Sequence, residues 1–532
     1  MNEMLKSPKF YAKLFVSSSC ALVIAMYLMY LGRGNNFFFD EWMFVTSRRG
    51  LSVDALLSPH NGHLSALPAL AFMVLLKIFG LDHYEGFRFA AVIVHLLVAL
   101  MASLLIRKNH GWSMGITVFV VIGLMGAGWQ NIFWGFQIGF MGSLFFFLLS
   151  LYLLDHGRTQ NGNISFLLSS VALACSLLCA GLGVAGLAVI AMLCLFSADR
   201  QRTWWIPVGP AVMYAVWYLK YGTSQAKLSA ADGVPLYASE SASGSAAGLF
   251  GVDQIWGALL IGALIYFCAR LAIRRGLTLR SVALIAFALV FWTMVGLSRT
   301  VVWEPNASRY LYVGIVALVV GIFDLIFVSR PVNRWALSQK VGTVLVAFLA
   351  VWGSHASLVQ GAQWLKNEGD IVGAELAVVE MHRDTIDPLI SVDPLHAFML
   401  PVGAYLSAVD ELGSSAAIDP QELPIASEQA RLGADLLLNS LVKPQTMSDP
   451  AMCQVENQPE GQIQLTPGST VVLKVLQVTA YGISRFAPQE LSRAGMQGIE
   501  AGLFQIDIPA DVVEVPWTLT FENPTDVRIC DM

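Results

Sequence analysis

Apolar stretches of about twenty residues, parted by short basic or polar breaks, recur along the first two thirds of this 532-residue chain. Lipid offers no partner for backbone N–H and C=O groups, so a chain crossing the ~30 Å hydrocarbon core does so as helices of about twenty apolar residues. Such stretches fall near 12–32, 87–106, 113–131, 136–154, 164–182, 184–198, 204–220, 255–272, 280–298, 309–328 and 341–358. They predict a polytopic α-helical membrane protein with about eleven transmembrane helices. A chain that is 56% hydrophobic and 13% charged, with mean hydropathy +0.62, is also too apolar for a soluble enzyme. Lys6, Lys9 and Lys13 precede the first stretch, which is long and has no small-x-small cleavage site after it. It reads as an uncleaved signal anchor.

Residues 64–81 decide the topology. Counted as a span, they would turn Arg107-Lys108, Arg200/Arg202, Arg270/Arg274/Arg275/Arg280 and Arg330/Arg334/Lys340 outward. Taken as an interfacial helix, they leave all these clusters on the cytoplasmic side with the N-terminal lysines, as the positive-inside rule requires. The outer face then carries residues 33–86, 132–135, the region around 183, 221–254, 299–308 and everything from 359 on. The Gly-, Ser- and Ala-rich stretch Tyr221–Gln254 reads as a mobile loop, a lid or a binding loop.

Charge divides the chain in the same place. Residues 1–358 hold 24 Lys/Arg against 13 Asp/Glu, a net of +11, and residues 359–532 hold 8 against 24, a net of −16. This predicts a membrane domain over 1–358, with 33–86 as its first outer loop, and a soluble extracytoplasmic domain over 359–532. The latter is of α+β type. It is helical over 359–450, where Ser427 is placed to cap a helix reaching Val442, and β-rich over 460–532, where short Val/Ile/Leu/Thr runs are broken by Pro and Gly. Five cysteines lie in apolar segments as small hydrophobes. Cys453 and Cys530 lie in the acidic part and are candidates for a disulfide if that part is outside the cytoplasm. No Cys/His metal spacing occurs, and no nucleic-acid partner is expected.

The stretch 35–67 holds the groups best suited to chemistry. Asp40-Glu41 sits among Phe37, Phe38, Phe39, Trp42 and Phe44, rings suited to the membrane–water interface. Either carboxylate could act as general base or bind a divalent ion such as Mg or Mn; equally, the pair could cap a short helix. His60 and His63 could bind a metal, a sugar or a phosphate, or Pro59-His60-Asn61-Gly62 could be only a turn. Trp134 suits stacking on a sugar or anchoring in the interface. Gln137, an amide at the start of a span, needs a partner. Arg299 and Arg309, with Tyr310 beside the latter, flank one short outer loop. Two arginines there run against the positive-inside rule and could grip phosphate oxygens, or could snorkel to the headgroups. His95 reads as a bonded core or interhelical residue, and Asp324 as a span residue paired with a nearby arginine.

Asp40-Glu41-Trp42 just after the first span, the His60-Asn61-Gly62-His63 stretch before an apolar helix, Trp134-x-x-Gln137, and Arg299 with Ser308-Arg309-Tyr310 together resemble the GT-C superfamily of integral membrane glycosyltransferases. The likeness is to the bacterial polyprenyl-phosphate-sugar-dependent type and covers the membrane part. It implies a multi-pass enzyme of the bacterial cytoplasmic (inner) membrane, with its active site and C-terminal domain extracytoplasmic. Such an enzyme would serve polysaccharide biosynthesis in the cell envelope. The donor would be a polyprenyl-phosphate hexose or pentose, and the acceptor a glycan or lipid-linked molecule. Asp40, with Glu41 beside it, would be the catalytic residue that deprotonates the acceptor hydroxyl, Arg299 and Arg309 the phosphate ligands, and the anomeric centre would invert. No Trp-Trp-Asp-type motif is present, so an oligosaccharyltransferase acting on Asn is not expected. The rival readings are a lipid-linked glycan transporter or flippase, a non-catalytic envelope-assembly scaffold, and a ligase using a diphosphate donor.

Overall fold

The computed structural model describes residues 8–531 except 161, 224–225, 276, 300–303, 328–335, 394, 449–452, 454, 460–461 and 489–495. The chain divides into two compact units: Met1–Arg33, Arg48–Val74 and Glu85–Gln363 form one, and Gly34–Ser47, Leu75–Tyr84 and Trp364–Met532 the other. The second unit therefore takes two pieces of the first polar loop as well as the acidic tail.

The first unit is helical. Six helices are long and apolar enough to cross a membrane: Tyr11–Leu31, Glu85–His110, Gly135–Gln160, Gln254–Arg274, Leu279–Ser298 and Leu337–Met381. Trp112–Gly123 and Gly126–Phe133 make a seventh if a pair bent by 49° counts as one span. Ala66–Phe79, Asn163–Cys179, Leu182–Leu195 and Ser308–Phe323 are apolar but shorter. Eleven full-length spans are thus not what the described residues show, because several of the apolar runs are broken or end early. Ala66–Phe79 has 14 residues and rises about 21 Å, short of the hydrocarbon core. Large apolar side chains face outward on the peripheral helices, among them Phe15 (74% exposed), Ile265 (64%) and Phe348 (58%). A surface of that kind suits acyl chains rather than water.

With no hydrophobic gain between helices in lipid, close packing and interhelical hydrogen bonds hold them together. Helix Ile138–Gln160 joins helix Asn163–Cys179 through two serine pairs spaced seven residues apart on each. Ser143 and Ser176 each donate to the other's carbonyl (2.9 and 2.8 Å), as do Ser150 and Ser169 (both 2.9 Å). Phe147 stacks on Phe287 at 4.3 Å. His95 bridges helices as its sequence context suggests, with Nδ1 2.9 Å from the Tyr312 hydroxyl and Nε2 3.2 Å from the Gly123 carbonyl. At the bend after Gly123, Gly126 lies so near the Ser354 carbonyl that a Cβ would overlap it.

One expectation fails. Residues 234–250, inside the stretch read as a mobile loop, form the helix Val234–Phe250. Its Ser241, Ser243, Gly244, Ser245, Ala246 and Ala247 are buried. Ser245 donates to its own helix at Ser241 O (2.7 Å) and Ser241 donates to Pro305 O (3.1 Å). The composition that marks a loop in water is here the one that lets helices approach closely.

In the second unit the end of helix Leu337–Met381 leads to a hairpin, Ser391–Asp393 with Ala397–Pro401, and to helices Val402–Leu412 and Glu428–Leu441. Ser427 caps the latter, its Oγ accepting from Ala430 N–H at 3.3 Å, as the sequence indicates. Two antiparallel sheets follow. One orders Gln462–Leu465, Trp517–Phe521, Thr479–Ser484 and Gln497–Ile499; the other orders Gln445–Thr446, Gly502–Asp507, Thr470–Val475, Val527–Asp531 and Val455–Asn457. The buried Asp435 of helix Glu428–Leu441 fixes it to the first sheet by accepting from the N–H groups of Arg485 (3.0 Å), Phe486 (3.0 Å) and Ala487 (2.9 Å). Cys453 and Cys530, 77 residues apart, are disulfide-bonded.

Candidate functional site

Asp40 belongs to the second unit, at the mouth of the short helix Glu41–Ser47. The residue before it, Phe39, has φ +50°, a left-handed conformation that costs a side-chain-bearing residue about 1–2 kcal/mol. Several hydrogen bonds hold the backbone there. Phe39 N–H donates to the His396 carbonyl at 2.7 Å, and Met43 N–H to the Asp40 carbonyl at 3.2 Å. Phe38 N–H donates to Glu41 Oε2 at 2.9 Å. Glu41 is fully buried, and the Tyr84 hydroxyl reaches both its oxygens, at 3.0 and 3.2 Å. Its carboxylate is thus committed to holding the turn. Asp40 beside it is mostly buried, 8% exposed.

The aromatic residues around the acid pair do not form an outward-facing belt. Phe37, Trp42 and Phe44 are buried. Phe37 packs on Trp42 (5.4 Å) and edge-on to Tyr84 (5.0 Å), Trp42 edge-on to Tyr405 (5.8 Å), and Phe38 edge-on to Trp364 (5.5 Å). They are the core on which the turn is built.

The first unit gathers the other candidates along the bent segment 126–137. His60 and His63 close a two-residue turn, exchanging N–H···O bonds of 2.9 Å each. Asn61 (φ +49°) and Gly62 (φ +76°) occupy its left-handed positions, which is the Asn-Gly arrangement such turns favour. The buried His60 ring lies 5.0 Å from Phe136, which lies 5.3 Å from Trp134; Asn61 Nδ2 donates to His60 Nε2 (3.1 Å). His63 faces Gly181, where a Cβ would overlap its ring. Gln130 Oε1 accepts from Arg309 N–H (3.2 Å) and Nη1 (3.4 Å), and Arg309 lies 4.9 Å from the Tyr310 ring centre. Gln137 is 2% exposed and its Oε1 has no hydrogen-bond partner among the described residues, and neither amide atom of the buried Asn131 has one. Buried orphans of this kind mark places where water or a ligand completes the bonding. Arg299 ends helix Leu279–Arg299; its side chain, like that of Asp324, lies outside the described residues.

Three features escaped the sequence reading. Arg88, 3% exposed near the start of helix Glu85–His110, donates to the Gly32 carbonyl. An ionisable residue at the head of an apolar helix was the available signal. Tyr84 and His396 lie far from Asp40 in sequence, and no local pattern connects them. For a divalent ion, the fit is poor. Among the described residues no group of three or more His, Cys, Asp or Glu side chains could hold a metal, and Glu41 is engaged elsewhere.

Fold and site together describe a multi-helical chain of membrane-spanning composition whose polar loop carries an acid on a strained turn. No family model and no curated protein matches the sequence. Among solved structures, the chain is similar to ArnT from Cupriavidus metallidurans bound to undecaprenyl phosphate, at 12% identity over 72% of this chain and 82% of that one (TM-score 0.43). It is also similar to the archaeal oligosaccharyltransferase AglB from Archaeoglobus fulgidus, in complex with an inhibitory peptide and a dolichol-phosphate, at 13% identity over 70% of this chain and 59% of that one (TM-score 0.42). Likenesses this distant leave the chemistry of the present chain to its own residues.

Proposed function

We propose that this chain is a membrane glycosyltransferase. It moves a hexose or pentose from a polyprenyl-phosphate carrier to a cell-envelope glycan or lipid-linked acceptor, on the outer face of the bacterial cytoplasmic membrane. The observation that most supports this is the acid turn, in which Glu41, Tyr84 and the His396 carbonyl fix the backbone that presents Asp40. Preorganising a general base at a cost in local strain is a mark of functional sites.

Asp40 takes the proton of the acceptor hydroxyl as that oxygen attacks the anomeric carbon. The new C–O bond forms as the bond to the carrier phosphate breaks, the centre inverts, and polyprenyl phosphate leaves as a monoester. Arg309, with Arg299, is assigned the phosphate oxygens, and His60, His63, Trp134, Gln137 and Tyr310 the donor. Glu41 supports the turn that presents Asp40 and does not touch substrate.

The test is transfer by the full-length protein in nanodiscs, with a panel of undecaprenyl-phosphate hexoses and pentoses and a lipid-extracted acceptor pool. Asp40→Asn keeps the shape of the turn and removes the base, so turnover is expected to fall by about 10²–10⁴-fold. Wild-type turnover by this variant sinks the assignment.

A further inference from the structure

We propose that His396, gripped between Asp393 and Glu368, is a positioning residue that sets the geometry of Asp40. This rests on the reading of Asp40 as the base and adds the part of the second unit that aims it.

The His396 ring has a carboxylate on each nitrogen: Nδ1 lies 2.5 Å from Asp393 Oδ2, and Nε2 3.0 Å from Glu368 Oε2. Asp393 also accepts the N–H groups of Leu395 (2.5 Å) and His396 (3.2 Å) through Oδ1, which closes the hairpin turn on itself. The ring thereby ties this turn to the long helix Leu337–Met381, which carries Glu368. From the same residue, the His396 carbonyl accepts the Phe39 N–H. A chain of bonded groups therefore runs from the long helix, through one imidazole, to the left-handed residue that precedes Asp40.

The charges fit this role. With an acceptor on each side, both ring nitrogens carry protons and the ring is a cation; the Asp393 hydrogen bond first, then that of Glu368, pushes its pKa up to about 10. Glu375, buried on the same helix as Glu368, is also a hydrogen-bond partner of Asp393. Lys366 and Asp370 pair with each other at 2.8 Å. Without the imidazolium, Glu368 and Asp393 would face one another uncompensated, and the turn that supplies the carbonyl would open. The turn at Phe39 would then relax out of its strained conformation. A shift of about 1 Å in a reacting group is enough to cost on the order of a hundredfold in rate.

Amide exchange on the full-length protein in nanodiscs, without substrate, tests the clasp by itself. In His396→Ala, residues 36–44 are expected to exchange about tenfold faster, with a smaller rise in Glu368→Gln, while helix Glu428–Leu441 is unchanged. Unchanged exchange at 36–44 in both variants overturns the inference; should His396→Ala not fold, Glu368→Gln alone decides it. With whichever undecaprenyl-phosphate sugar of the panel is turned over, kcat is expected to drop with KM for the donor unmoved. A rise in KM at constant kcat overturns the positioning role. An active Asp40→Asn variant would instead remove the base reading, and the exchange result would still judge the clasp.

Discussion

Tyr84→Phe takes one oxygen atom from a dry pocket and leaves everything else in place. The phenyl ring keeps its edge-on contact with Phe37. What is lost is the hydroxyl that reaches both oxygens of Glu41, a side chain with no exposed surface; Tyr84 itself is only 4% exposed. Phe38 N–H still donates to that carboxylate. A hydrogen bond to a charged group contributes about 1.5–3 kcal/mol, and in a unit of this size each kcal/mol moves the midpoint by about 2–4 °C. Taking the middle of both ranges, the second unit should melt about 7 °C lower. Thermal unfolding of the purified protein in detergent, followed by fluorimetry, measures the shift. Glu41→Gln, alone and combined with Tyr84→Phe, completes a double-mutant cycle in which the coupling should be at least about 1 kcal/mol. A coupling of zero would show that hydroxyl and carboxylate are not bonded, and the structural role given to Glu41 would fall with it.

Two further outcomes follow from the second unit. Reducing the Cys453–Cys530 bond, which closes a 77-residue separation, should cost about 4 kcal/mol on the loop-entropy scale, read as a drop in the melting midpoint with dithiothreitol that a Cys453→Ser variant no longer shows. The His396 clasp gives a pH signature. Its folded pKa is raised from 6.5 to about 10, so its contribution to stability is complete below about pH 6.5 and is lost as pH rises toward 10. The difference in midpoint between wild type and His396→Ala should therefore be widest at pH 5–6 and shrink steadily from about pH 6.5 toward pH 10; a difference independent of pH refutes the charged clasp.

What could be read from sequence was whatever local chemistry dictates. Apolar runs became helices, Ser427 capped the helix after it, the Val- and Thr-rich runs became strands, and His95 found interhelical partners. What could not be read was set by the other side of each contact. Val234–Phe250 resembles a loop until helices are present for its small residues to press against. The 113–131 run gives no local sign of its bend other than glycines, whose reason, the Ser354 carbonyl beside Gly126, lies over two hundred residues away. In the candidate site, Asp40-Glu41 was visible as a pair, but the bonds from Tyr84 to Glu41 and from Phe39 to the His396 carbonyl were not. The rings beside it looked like an interfacial belt, since hydrophobicity alone does not say whether a ring meets lipid or protein.

The membership of the second unit also orders events in time. Residues 34–47 and 75–84 are made early, whereas His396 is made more than three hundred residues later. At roughly 5–20 residues per second, Phe39 waits on the order of 15–70 s for the carbonyl that holds it. Tyr84 can meet Glu41 early; the strained turn at Phe39 can close only when the tail arrives. A nascent chain can therefore form its first helices well before the turn at Phe39 can close, an event that waits for His396.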